Sequence, residues 1–175
     1  MKETLINEYN NTEILSRDYK EPSNSFIVHF INGVFCEIKG PLSKKYRVVF
    51  MDNKTGDVHH ITEITNNMWT KSSIQYFVEW GVKIYDVESN ELVFEHNYDA
   101  TGKKVYIHLD SSAVGDTLAW FPFAEEFRKK HNCRVAVSTF HNEWFKAMYP
   151  ELEFIKPGTP VPDLYAMYTV GWFYD

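Results

Sequence analysis

The stretch His108–Pro122, HLDSSAVGDTLAWFP, decides how the second half of the chain is read. It follows an apolar run, Lys104–Leu109 (KVYIHL), of which Val105–Leu109 reads as a strand. Beyond it, Trp120, Phe123, Ala124 and Phe127 recur at i, i+3, i+4 and i+7, so Thr117–His131 reads as a helix. Small residues at that strand-to-helix turn, Ser111, Ser112, Ala113 and Gly115, allow close approach to the backbone and offer N–H groups to an anion. Asp116 carries two readings that stand side by side. It is a helix N-cap or first-turn carboxylate, favoured by the helix dipole. It is also placed as a general base, because ligands of open α/β sheets sit beyond the carboxyl ends of the strands.

Downstream, Cys133–Thr139 (CRVAVST) reads as a second strand, His141–Tyr149 (HNEWFKAMY) as a short helix and Leu152–Ile155 (LEFI) as a third strand. This alternation is the start of a parallel α/β layer. The tail, Lys156–Asp175, shows no further strand pattern. Three strands and two helices make half of a doubly wound domain, and both faces of such a sheet need cover. The expectation is therefore a fragment of something longer, or a chain that needs a partner surface.

Upstream the pattern is different. Phe26–Lys39 (FIVHFINGVFCEIK) places Asn32-Gly33 between two apolar runs, a strong hairpin signal. Lys45–Ile64 repeats the arrangement with its turn at Asn53–Gly56, and Gln75–His96 gives a third hairpin around Ser89-Asn90. In the last, Tyr76, Val78, Trp80, Val82 and Ile84 alternate with Glu79, Gly81 and Lys83, the period of a half-buried strand. About six strands with closely spaced turn signals predict a small sandwich or barrel. The turn-rich Asn97–Lys104 (NYDATGKK) is the expected boundary. The predicted organisation is a polar lead-in over residues 1–25, an all-β domain over 26–100 and a partial Rossmann-like unit over 101–175, α+β overall.

Composition narrows the function. Thirteen Phe, eleven Tyr and five Trp favour strands and partly wet binding surfaces. A net charge of −6, with the one basic cluster, Phe127–His131 (FRKKH), at a predicted helix end, argues against nucleic acid as partner. Cys36 and Cys133 are the only cysteines, far apart and in apolar contexts, which predicts neither a disulfide nor a cysteine metal site and fits a reducing cytoplasm. The polar N-terminus shows no signal peptide, and no apolar run reaches membrane-spanning length. There is no GxGxxG, no GxxxxGK[ST] and no GxSxG. His59 and His60 are adjacent and point to opposite strand faces, which favours surface or cross-strand roles over metal binding. His141–Glu143 (HNE) lacks the following PCxxC of a zinc deaminase. Trp69, in Asn66–Trp69 (NNMW), sits in a loop-like context and is a candidate for exposure.

The segment Ser111–Gly158 resembles the first β-α-β-α-β unit of lipopolysaccharide-type heptosyltransferases, at Gly115, Asp116, Pro122 and Pro150–Ile155. Over nearly its whole length the chain resembles the N-terminal part of the bacterial autotransporter heptosyltransferases, through Phe30–Ile38 (FINGVFCEI), NNMW, the Gly-Asp loop and Leu164–Asp175 (LYAMYTVGWFYD). The resemblance implies the first half of a two-Rossmann glycosyltransferase fold. It implies inverting transfer of heptose from ADP-heptose to serine hydroxyls of autotransporter passenger proteins, with Asp116 as base and the β-domain gripping the acceptor. Ser111, Ser112, Ala113, Gly115 and Thr117 become the expected substrate-binding loop. Tyr168, Gly171 and Trp172 are further candidates for contact with the sugar, with core packing as their alternative. The family's iron-binding cysteines and most of its nucleotide-sugar contacts lie in its second half, so no metal site or cofactor is carried over to this chain. The isolated chain is expected to be inactive or weak, unless a homo-oligomer completes it.

Overall fold

A computed structural model of the chain describes residues 23–171; the lead-in as far as residue 22, and residues 172–175, lie outside the described residues. The turn residues put the N-terminal hairpins where the pattern placed them. β1 (Ser25–Ile31) and β2 (Phe35–Lys39) pair antiparallel across Asn32 and Gly33, at φ 54° and 96°. Asparagine tolerates that left-handed region and glycine has no Cβ to oppose it. A Cβ on Gly33 would also sit 2.5 Å from the Ile74 carbonyl oxygen. β3 (Lys45–Asp52) pairs with β4 (Val58–Thr65), and β6 (Trp80–Asp86) with β7 (Leu92–Asn97). Trp80, Val82 and Ile84 are buried as the alternation required, but the strand begins at Trp80, and Tyr76 is 66% exposed. Between these hairpins lies a strand that the pattern did not show, β5 (Met68–Lys71), within the NNMW stretch. Its four residues alternate too briefly for a period to register; Trp69 is indeed exposed, on a strand rather than a loop.

The strands build a mixed α+β fold of two sheets. A four-stranded antiparallel sheet runs β4-β3-β6-β7. The second sheet joins β1, β2 and β5 to β8 (Lys104–Leu109), β9 (Arg134–Ser138), β10 (Glu153–Phe154) and β11 (Ala166–Val170), in the order β10-β9-β8-β11-β1-β2-β5. β11 pairs parallel with β8 on one side and with β1 on the other. The tail, read as strandless, thus supplies a central strand, and one sheet spans the Asn97–Lys104 seam. The reason lies outside the local sequence: Ala166–Val170 is held by open hydrogen-bonding edges on two flanks, each formed by a segment distant in the chain. The small sheet packs over the β1-β2-β5 wing. Phe26 meets Tyr46 and Phe94, at 5.5 and 5.3 Å between ring centroids, and His60 Nε2 lies 2.9 Å from Thr70 Oγ1. Val48, Phe50, Trp80 and Val82 share one contiguous core with Phe30, Cys36, Ile107 and Val137.

The helix expected over Thr117–His131 is two: α1 (Val114–Trp120) and α2 (Pro122–His131). Pro122 has no N–H to donate back into α1 and takes the first position of α2, where none is needed. Asn132, at φ 46°, ends α2, its N–H bonded to the Arg128 and Lys129 carbonyls. Ala124 is buried and Phe127 half-buried, but Phe123 is 68% exposed. The helix expected at His141–Tyr149 is a single 3-10 turn, Asn142–Trp144.

The two sheets meet at an aromatic knot. Phe30, fully buried, has its ring centroid 5.0, 5.1 and 5.9 Å from those of Tyr98, Tyr165 and His96. The Asp99 N–H donates to the Tyr165 hydroxyl, which lies 3.0 Å from His96 Nε2. Burial holds His29, His96 and His131 below the usual imidazole range; Lys71, Lys103 and Lys130 act the same way, and Glu37, Asp99 and Glu79 oppose it. These rings fold neutral and are easier to protonate when unfolded. Their stabilisation is complete above about pH 6.5 and is lost as pH falls through their lowered folded values. Urea midpoints should therefore fall between pH 7.5 and 5, and His96→Gln should reduce that fall. Phe30→Ala should cost about 3–5 kcal/mol in the same measurement at pH 7.5.

Candidate functional site

In chain order the parallel strands run β8, β9, β10 outward on one side, and β11 returns to the other side of β8. The order therefore reverses between β8 and β11, and open α/β sheets bind ligands beyond the carboxyl ends of the strands at such a reversal. The two strand ends are tied there: the Asp110 N–H donates to the Val170 carbonyl at 3.0 Å. A side chain on Gly171 would meet Asp110 Cβ at 3.8 Å, so Asp110 and Gly171 lie beside one another.

The loop after β8 is shaped by its own hydroxyl. Ser111 Oγ accepts from the Ala113 N–H at 3.1 Å and donates to Asp116 Oδ2 at 2.8 Å. Ala113, extended at φ −69° and ψ 131°, is the N-cap residue, which puts Asp116 in the first turn of α1. No side chain caps the helix. Asp116 is thus a first-turn carboxylate turned towards Ser111, half-buried, and no described residue donates to its other oxygen. Ser112, Ala113 and Gly115 are exposed, and among the described residues nothing beyond the adjoining chain lies within 4 Å of where a Gly115 side chain would begin. Thr117 departs from this group. It is fully buried, and its hydroxyl donates to the Ala113 carbonyl at 3.0 Å, so it fastens the helix start from inside.

The other candidates divide. Tyr168 is buried, its ring 5.8 and 5.7 Å from those of Phe77 and Phe127 and its hydroxyl pushed up by burial, and it also lines the cleft that Gly171 borders. Gly171 lines an apolar cleft of about 300 Å³ bounded by Trp120, Phe123 and Tyr76. Trp172 lies outside the described residues.

A second loop, after β9, approaches the first, and the sequence reading assigned nothing to it. The Thr139 N–H donates to Asn142 Oδ1 at 2.9 Å, and Asn142 Nδ2 donates to the Ile155 carbonyl at 2.8 Å. The His141 N–H donates to Thr139 Oγ1 at 2.9 Å, and the His141 ring stacks on Trp144 at 4.0 Å. His141 Nε2 lies 3.0 Å from the Ser112 carbonyl. Polar residues at the end of a parallel strand are the one sequence signal for this loop, and the unassigned HNE stretch carried it. A polar groove of about 530 Å³ opens beside it, between Phe140, Asn142, Lys146 and Lys156.

A metal centre does not fit the described residues. Cys36 and Cys133 are both buried, their thiols pushed up to about 12 and about 11 by burial, far from the ionised form that binds iron. Among the described residues no group of three or more His, Cys, Asp or Glu side chains is placed to hold a metal ion. His60 is engaged with Thr70, and His59 lies edge-on to Trp80 at 5.5 Å. No described helix is long and apolar enough to cross a membrane.

No protein-family model matches the chain. It is 29% identical over 133 residues to the autotransporter heptosyltransferase BAHTCr of Citrobacter rodentium, covering 74% of this chain and 32% of the relative. It is 26% identical over 135 residues, with the same coverage of each, to the autotransporter heptosyltransferase TibC of Escherichia coli. It is 34% identical over 105 residues to BimC of Burkholderia thailandensis, named an inactive autotransporter heptosyltransferase, covering 58% of this chain and 24% of the relative. The chain thus spans about a third of the length of the first two. Among solved structures, TibC, described as a bacterial iron-containing dodecameric glycosyltransferase, superposes with a TM-score of 0.76 at 23% identity, over 86% of this chain and 39% of TibC. Its complex with ADP-D-β-D-heptose gives 0.75 at 22% identity, over 89% of this chain and 40% of that one. The likeness shows that the chain shares its mixed α+β fold with part of TibC.

The contrast between Thr117 and Ser111 is measurable. Thr117→Val should cost about 1 kcal/mol in urea unfolding, through the lost inward hydrogen bond. Ser111→Ala, on the rim, should stay within about 0.5 kcal/mol of the parent.

Proposed function

We propose that this chain, which resembles the N-terminal part of the autotransporter heptosyltransferases, is the acceptor side of an inverting glycosyltransferase with Asp116 as general base. One observation carries the reading: the Asp116 carboxylate stands at the reversal point of the parallel strands, held on one oxygen by Ser111 and undonated by any described residue on the other.

The chemistry assigned to this chain's residues is short. A serine hydroxyl of the acceptor enters over the exposed Ser112, Ala113 and Gly115, with open space among the described residues where a Gly115 side chain would stand. Its oxygen attacks the anomeric carbon of ADP-heptose. The new C–O bond forms on the face opposite the departing diphosphate, ADP leaves with the bonding pair, and the hydroxyl proton passes to Asp116, with inversion. Ser111 contributes orientation: its hydroxyl occupies Oδ2 and leaves Oδ1 for the acceptor. An acceptor grip through the N-terminal strands is consistent with the exposed Trp69. The diphosphate contacts fall to the part of the relatives that this chain does not span, or to a second subunit.

A second reading draws on BimC, which is named an inactive heptosyltransferase and is 34% identical over the matched residues. On that reading the chain binds an autotransporter without chemistry.

The test is the intact mass of an autotransporter passenger incubated with ADP-heptose and this chain, alone and with a longer homologous transferase whose own base has been removed. Heptose increments that vanish with Asp116→Asn support the base. Passenger that binds both forms equally and gains no mass under either condition supports the second reading.

A further inference from the structure

The two loops at the carboxyl ends of β8 and β9 are joined by one side chain. We infer that His141 is the positioning residue that holds the Ser111–Asp116 loop in order, which rests on the proposed role of Asp116 at that site. The atoms set the direction of the bond. A backbone carbonyl only accepts, so the His141 nitrogen 3.0 Å from the Ser112 oxygen carries a hydrogen, and the neutral ring is the Nε2–H tautomer. Among the described residues, His141 and Thr117, whose hydroxyl donates to the Ala113 carbonyl from within α1, are the side chains from outside residues 111–116 that hydrogen-bond to them, and His141 alone comes from another loop.

The histidine is itself held from three directions. Its ring lies nearly parallel to Trp144, at 4.0 Å and 12°. Its N–H is taken by Thr139 Oγ1. The loop that carries it is pinned at both ends by Asn142, which accepts from Thr139 and donates to Ile155 beside β10. Order therefore passes from the strand ends to His141, to the Ser112 carbonyl, and through the adjoining Ser111 hydroxyl to Asp116 Oδ2. Ser111 can do this only while its Oγ also receives the Ala113 N–H, which needs the turn that the Ser112 carbonyl anchors. The bond survives protonation of the ring, since the imidazolium keeps its Nε2 hydrogen. What loosens the loop is loss of the donor, not a change of pH.

The experiment is NMR on the whole chain, with no need of donor or acceptor. Long-range ¹H–¹⁵N spectra should show the neutral His141 ring as the Nε2–H tautomer; the Nδ1–H tautomer would overturn the proposal without any variant. His141→Phe keeps the stack on Trp144 and removes the donor. It should speed exchange of the hydrogen-bonded Ala113 and Thr117 amides roughly 3- to 10-fold, with β6 amides unchanged as control. His141→Gln, whose amide nitrogen reaches where Nε2 does, should restore the parent rates within about 2-fold. Unchanged Ala113 and Thr117 exchange in the Phe variant, or equal loosening in both variants, would sink the positioning role. The Asp116 reading is decided separately by the passenger mass. Parent-like transfer by Asp116→Asn would remove the base and leave the loop geometry standing.

Discussion

The parallel insertion of β11 between β8 and β1 is the constraint on which the rest of the molecule depends. Without it the larger sheet would fall into two pieces of different character, β10-β9-β8 and β1-β2-β5, each with an open edge at the break. With it, β8 gains a neighbour on its second flank and β1 acquires its only parallel partner. The β1-β2-β5 wing becomes an extension of the α/β sheet, and the small antiparallel sheet finds a face to cover. The core is correspondingly continuous from Trp80 to Val137. Phe30, on β1, sits where the two sheets and the β11 lead-in meet, which is why its ring touches partners from such distant parts of the chain.

The same insertion positions the candidate site. A strand order that ran only outward from β8 would have no reversal, and the loop after β8 would be an ordinary strand-to-helix connection. Placing β11 on the other flank brings Gly171 beside Asp110, the residue from which the Ser111–Asp116 loop departs. Catalytic residues on loops need a scaffold that does not move with them. Here the scaffold is a sheet tied at the reversal by the Asp110–Val170 bond and a neighbouring loop tied across by His141.

The candidate site was legible in part. Small residues and a carboxylate at a strand-to-helix turn were visible because turn chemistry is local, and the structure brings Ser111, Ser112, Ala113, Gly115 and Asp116 together. Thr117 was not separable from them by sequence, since one further step around a helix moves a side chain from the rim to the interior. Tyr168 is packed among Phe77 and Phe127 and still borders the Gly171 cleft; successive strand residues alternate between faces, and which face is covered depends on what packs there. His141, set aside as a metal motif, could not be tied to the loop from sequence because its partner, Ser112, is 29 residues away and offers only a backbone carbonyl, which no residue pattern encodes.

What the sequence by itself determined were the features set within a few residues: the hairpin turns at Asn32-Gly33, Gly56 and Asn90, the buried alternation of Trp80, Val82 and Ile84, the strand before the Ser-Ser loop and the helical period after it. Pro122 belongs with these, although its break of the helix into two was not anticipated from the period alone. Only the tertiary structure decided which strands share a sheet, where β11 lies, and how the loops after β8 and β9 meet. Hairpin and helix bonds join neighbours whose identities are written side by side. The edges that recruit β11 exist only after segments far apart in the chain have been brought together.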